Sequence, residues 1–115
     1  MQDGTTDTMS VTFPATATFS RMGRVSIAGL ALRLGVDVQR VENLRMAVDA
    51  AVQALEGPGY IEMEASWSPG HLRIDVDNEA IRFDPAGAEA LLDRLLGLVD
   101  QAGVREHRVE LQLHD

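Results

Sequence analysis

The sequence contains no cysteine and no lysine. The first absence excludes disulfides, thiolate catalysis and cysteine-ligated metals together, so redox chemistry would need an outside cofactor. The second leaves arginine as every one of the ten basic residues, which removes a lysine phosphate clamp and any Schiff-base chemistry. No apolar run approaches the roughly 20 residues that cross a bilayer. The opening M-Q-D-G-T-T-D-T has neither the basic nor the apolar region of a signal peptide. The expected location is therefore the cytoplasm, with no membrane partner. A glycine-rich phosphate loop is missing too: G-P-G and S-P-G read as turns, and no G-x-x-x-x-G-K-S pattern occurs. His71, His107 and His114 lack ligand-like spacing, so no metal site is expected. No strained nucleophile-elbow motif singles out a serine triad, and the carboxylates fall mostly on solvated faces without an evident catalytic pair.

What remains is an ordinary globular composition. At 115 residues and 12.5 kDa, with 45% hydrophobic and 24% charged residues, the chain can build one two-layer core. A single domain over 9–115 is expected, after a polar, turn-prone and disordered tail at 1–8. The formal net charge of -8 argues against direct nucleic-acid binding, which depends on neutralising phosphates. A basic protein partner suits such a surface better.

Periodicity gives the elements. M-S-V-T-F-P places Met9, Val11 and Phe13 on one face of a short strand closed by Pro14. Ser20 is a candidate N-cap for a helix ending before Gly35, a left-handed stop. Asp37 caps a longer helix to about Glu56, ended by G-P-G. Y-I-E-M-E-A-S-W and H-L-R-I-D-V-D then alternate as an antiparallel hairpin with one buried face. Asp84-Pro85 opens a third helix carrying Leu91, Leu92, Leu95, Leu98 and Val99. A last strand holds Val109, Leu111 and Leu113. The order β-α-α-β-β-α-β predicts an α+β two-layer sandwich, an antiparallel sheet with helices on one face.

Three stretches carry a family resemblance. These are F-S-R-M-G-R-V-S-I-A-G-L-A-L-R-L-G, V-E-N-L-R-M-A-V-D-A-A-V-Q-A-L and L-R-I-D-V-D-N-E-A-I-R-F-D-P. Together they resemble the anti-sigma-factor serine kinases of the histidine-kinase-like ATPase superfamily, with its Bergerat fold. In that family the second helix bears a Glu that activates the attacking hydroxyl and an Asn that helps hold Mg²⁺. The family's apolar register puts these on Ala50 and Ala54. Asp49 and Gln53 keep the spacing and some of the chemistry, but only after a one-residue slip.

That slip is a rotation of about 100°, which turns Val48 and Val52 away from the core. Burying each such side chain contributes roughly 1.5–3 kcal/mol, so the apolar register is expected to hold. Val41, Leu44, Val48, Ala51, Val52 and Leu55 then face the core, and Asn43, Ala47, Ala50 and Ala54 lie along one flank. Asp49 joins a polar stripe, as a partner for Arg45 four residues earlier. Asp77 stands for the family's adenine-reading Asp. The glycines that should follow are Glu79 and Ile81, and the segment 78–84 is too short for the family's lid over the phosphates.

The resemblance thus implies a reduced Bergerat-like fold without its ATP lid. Phosphoryl transfer needs metal, cradle and base together, so ATP binding and kinase chemistry are expected to be lost, with no cofactor. Function is then expected to reside in protein binding by the first helix. Arg21, Arg24 and Arg33 offer cationic forks there, and Arg24 matches a family Arg used in partner contacts. The implied partners are a sigma factor, an anti-anti-sigma protein, or both, with the chain commonly a homodimer. Gly23 and Gly29 weaken that helix and point to close packing against another helix or a second subunit. Two other readings stand beside this one. A divergent serine/threonine kinase would use Asp49, Gln53, Asp77 and Mg·ATP; an unrelated α+β dimerisation module would owe nothing to the family.

Overall fold

Alternation along the strands and three- or four-residue spacing along the helices send their apolar side chains into one shared layer. The computed structural model describes residues 7–114. Along them lie β1 (Asp7–Pro14), a 3-10 turn (Ala17–Phe19), α1 (Arg21–Arg33), α2 (Val38–Ala54), β2 (Tyr60–Ser68), β3 (His71–Asp77), α3 (Pro85–Leu96), β4 (Gln101–Arg105) and β5 (Arg108–His114). The strands form one sheet in the order β1-β2-β3-β5-β4, every neighbouring pair antiparallel. One face of it buries Ile61, Met63, Ala65, Leu72, Ile74, Val76, Val109, Leu111 and Leu113 beneath the helices. The other carries Glu62, Glu64, Arg73, Asp75, Asp77, Arg108 and Glu110, as the two-residue period requires. This is the expected α+β two-layer sandwich.

The helix punctuation follows the sequence with one exception. Asp37 accepts from the Gln39 amide at 3.1 Å and Asp84 from the Gly87 amide at 2.6 Å, each satisfying an orphan donor of a first turn. Gly35 takes φ +80° just past α1. Ser20, by contrast, does not cap α1. Its φ and ψ are already helical, and its hydroxyl instead donates to the Glu56 carboxylate at the far end of α2.

Other boundaries also move. Residues 1–6 of the expected tail lie outside the described residues, whereas Asp7 and Thr8 belong to β1, paired with Trp67 and Ser66 of the longer β2. Leu98 and Val99 lie beyond the end of α3, although Val99 is buried. The chain then forms β4, an edge strand absent from the expected order, which pairs with β5 through a turn where Glu106 takes φ 45°.

At the end of the sheet where β3 meets β5, Asp100 accepts the His114 amide at 2.6 Å and the Arg40 guanidinium. The His114 amide, and after it Arg40, hold the Asp100 carboxyl below the usual range. Among the described residues no helix is long and apolar enough to cross a membrane.

Candidate functional site

The site has to be read from α2 outward. Val41, Leu44, Val48, Ala51, Val52 and Leu55 are all buried, so the apolar register holds and the slipped one does not. With that face fixed, positions 49 and 50 are driven to different flanks by the 100° step.

The Asp49 flank faces α1. Gly23 of α1 lies directly on α2, where an added Cβ would come within 3.1 Å of Val52 Cγ2. That glycine is needed because the helices approach closely. Beside it the Arg24 Nη1 donates to Asp49 Oδ1 at 3.0 Å, and the Gln53 Nε2 donates to Asp49 Oδ2 at 3.0 Å. The expected Asp49–Arg45 pair does not form; Arg45 instead meets Glu42 at 2.7 Å. Local i, i+4 spacing could not reveal that a cation from another helix would reach Asp49 first. With Ser20, Arg21 and Glu56 these groups line an open polar cleft of about 540 Å³. The structure therefore gathers Arg21, Arg24, Asp49 and Gln53, which the sequence assigned to two different roles. Arg33 stands apart, exposed at the other end of α1.

On the flank turned away from α1, Ala47 is fully buried, Ala50 is 4% exposed and Ala54 is half-buried. Ala50 belongs to the buried core cluster.

Asp77 is elsewhere again. It follows the buried Val76, so its side chain emerges on the helix-free face, in register with Glu62 on β2 and Arg108 on β5. There the His107 Nδ1–H donates to its carboxylate, and the Arg108 Nε lies 4.0 Å away. The two surface pockets that it lines include neither Ala50 nor Ala54. The next residue, Asn78, points back under the helices and is 1% exposed. Its amide nitrogen donates to the carbonyls of Leu55 at 2.9 Å and Pro58 at 3.0 Å, and its oxygen accepts the Ala80 amide at 3.0 Å. The Leu55 carbonyl is one of those left unpaired at the end of α2. Asn78 thus ties the segment after β3 to the turn after α2, where Ile81 covers Gly57 so closely that an added Cβ would lie 2.9 Å from it. Sequence reasoning missed Asn78, although parity along I-D-V-D-N marks it as the inward residue.

On the helix-free face Arg73 donates to Asp75 at 3.3 Å, which raises the pKa of its guanidinium, with Glu110 adding to the effect. Among the described residues no group of three or more His, Asp or Glu side chains is placed to hold a metal ion.

No family model matches the chain, and no curated protein sequence matches it. Solved structures do match in shape. A crystal structure of the RsbU and RsbW domains of Rv1364c from Mycobacterium tuberculosis superposes with a TM-score of 0.69 at 20% identity, over 94% of this chain and 32% of that one. The chain thus spans about a third of the length of that structure's chain. The likeness is one of fold: an α+β arrangement of a five-stranded antiparallel sheet and three helices.

Proposed function

We propose that this chain is an anti-sigma-like regulatory protein that acts by binding protein partners, without nucleotide and without kinase chemistry. The observation that supports this most is the 4% exposure of Ala50, at the place where the family carries its catalytic carboxylate. The residues present do not fit Mg·ATP. Ala50 and Ala54 offer methyl groups in place of an acid and an amide. The Asn78 amide has both its nitrogen and its oxygen engaged within the chain. Asp77 faces the opposite side of the sheet, bonded to His107. A divergent serine/threonine kinase would have to work from Asp49 and Gln53, and these bond to each other, with Asp49 also held by Arg24, on the flank against α1.

The partners are a sigma factor, an anti-anti-sigma protein, or both, met through α1 and its arginines Arg21, Arg24 and Arg33, with the chain acting as a homodimer. The net charge of -8 favours encounter with a basic surface, such as the DNA-binding face of a sigma factor. Transcription by a sigma-loaded polymerase tests this. Stoichiometric addition of the chain is expected to repress to the same extent with and without Mg·ATP, and an anti-anti-sigma protein is expected to relieve it unphosphorylated. Repression that needs ATP, or phosphate transferred to the anti-anti-sigma protein, would overturn the reading.

A further inference from the structure

The helix α1 has two apolar faces, and the fold uses one. Gly23, Ile27 and Ala31 are buried against the core. Opposite them Met22, Val25 and Leu32 are 41%, 62% and 55% exposed. With Gly29 they follow the spacing i, i+3, i+7, i+10, an outward stripe about 80° wide at 100° per residue. A helix that is apolar on both sides is the pattern of one covered on both sides.

Gly29 supplies a second observation. A Cβ added there would meet nothing within 4 Å, and its φ is not left-handed, so nothing within this chain asks for glycine at that point. Gly23 is explained by Val52; Gly29 is not. A glycine in mid-helix weakens the helix, and what it offers in return is a bare stretch of backbone that a crossing helix can approach.

Charge selects the occupant. Of the chain's ten arginines α1 carries three, and of its 18 acidic residues it carries none, so α1 is a cationic strip on a protein of net charge -8. Arg24 is committed to Asp49. Arg21 and Arg33 are exposed, have no ion-pair partner among the described residues, and stand at the two ends of the stripe, twelve residues apart. At 1.5 Å per residue that is about 18 Å. A second copy laid on this stripe would bring Arg21 against Arg33 of the other molecule, or like against like if parallel, with no acid on either helix to offset them.

We propose that the outward face of α1 docks an amphipathic helix of a partner protein, its apolar ridge along Met22, Val25, Gly29 and Leu32. Acidic residues about twelve positions apart on that helix meet Arg21 and Arg33. This rests on the protein-binding reading above and relocates the contact from Arg24 to the stripe. The overall negative charge steers a basic partner from a distance, while these two arginines set the local pairing.

The probe is a labelled synthetic helical peptide with a leucine ridge and two Glu twelve residues apart, measured by fluorescence anisotropy against the whole chain. A version with both Glu replaced by Lys serves as comparison. The Glu peptide is expected to bind at least tenfold more tightly than the Lys peptide. Val25→Asp is expected to weaken it at least tenfold with the melting temperature unchanged, because Val25 is exposed. Arg21→Glu with Arg33→Glu is expected to invert the preference. Equal binding of both peptides, no binding of either, or binding indifferent to Val25→Asp would overturn the proposal. So would a solution mass showing a dimer that Val25→Asp turns into a monomer, which would assign the stripe to a second copy. If a sigma factor is still repressed by the Val25→Asp protein, the surface is rejected and the protein-binding reading stands; if the unaltered chain represses nothing, the reading itself fails.

Discussion

An Ala50→Glu protein is expected to lose about 3–5 kcal/mol of stability, from overpacking together with an unpaired buried carboxyl. Folded domains hold only about 5–15 kcal/mol in total, so this variant would give up a large share of its stability. The reason is the 4% exposure of Ala50 on the flank away from α1. An open nucleotide cleft would let the new side chain project into water at little cost. Here it has to displace protein atoms or ionise among them.

The effect also carries a pH signature with a definite sign. Burial raises the folded-state pKa of the introduced Glu above its unfolded value of about 4.3. Below that value the carboxyl is neutral in both states and only the overpacking is felt. As pH rises above it the unfolded chain ionises first, so the destabilisation grows with pH until the folded-state pKa is passed. Denaturant melts of Ala50→Glu and Ala50→Gln between acid and neutral pH separate the two contributions, since the Gln protein is expected to lose stability without that slope. Ala54→Glu, at a half-buried position, is expected to cost far less. A stable, pH-independent Ala50→Glu protein would mean the flank is open.

The second large effect is at Asn78. Its replacement by Ala is expected to cost about 2–4 kcal/mol, because the Leu55 and Pro58 carbonyls and the Ala80 amide each lose a partner in a place that is 1% exposed. Asn78→Asp keeps the shape but turns a donor into an acceptor facing two carbonyls. It is expected to be at least as damaging at neutral pH and to recover partly in acid, where the protonated acid can donate once. Thermal melts of the three proteins check this. A cost below about 0.5 kcal/mol for Asn78→Ala would mean that water satisfies these groups equally well, and that Asn78 is no tie between the two segments.

Much of the fold can be read from the chain because its signals are local. The register of α2 follows from the spacing of Val41, Leu44, Val48 and Val52, the caps from Asp37 and Asp84, and the hairpin from alternation around S-P-G. What escaped depends on neighbours distant in sequence. The strand β4 is five residues of Q-A-G-V-R, too short and too weakly alternating to stand out, and it exists because β5 offers it an edge. The spacing within α2 pairs Asp49 with Arg45, since nothing in that helix announces Arg24. Ser20 has a capping residue's chemistry but sits where the 3-10 turn runs straight into α1, so its hydroxyl is left for Glu56.

The candidate site divides the same way. That the family's catalytic positions would fall on Ala50 and Ala54 is what the resemblance implies through its apolar register, and the burial of Ala50 required the structure. The resemblance points to Asp77, while the parity of Ile74 and Val76 turns it outward and Asn78 inward. The outward stripe of α1 was half visible. Gly23 and Gly29 looked alike in sequence, and only the packing separates one that serves α2 from one that serves nothing in this chain.

Calorimetric titration of the whole chain with Mg·ADP and Mg·ATP tests the proposed loss of nucleotide chemistry most directly. No saturable heat, and no rise in melting temperature at millimolar nucleotide, is the expected result. Micromolar binding would contradict it, and would appear as a stabilisation of about 2.7 kcal/mol once nucleotide reaches a hundred times its dissociation constant.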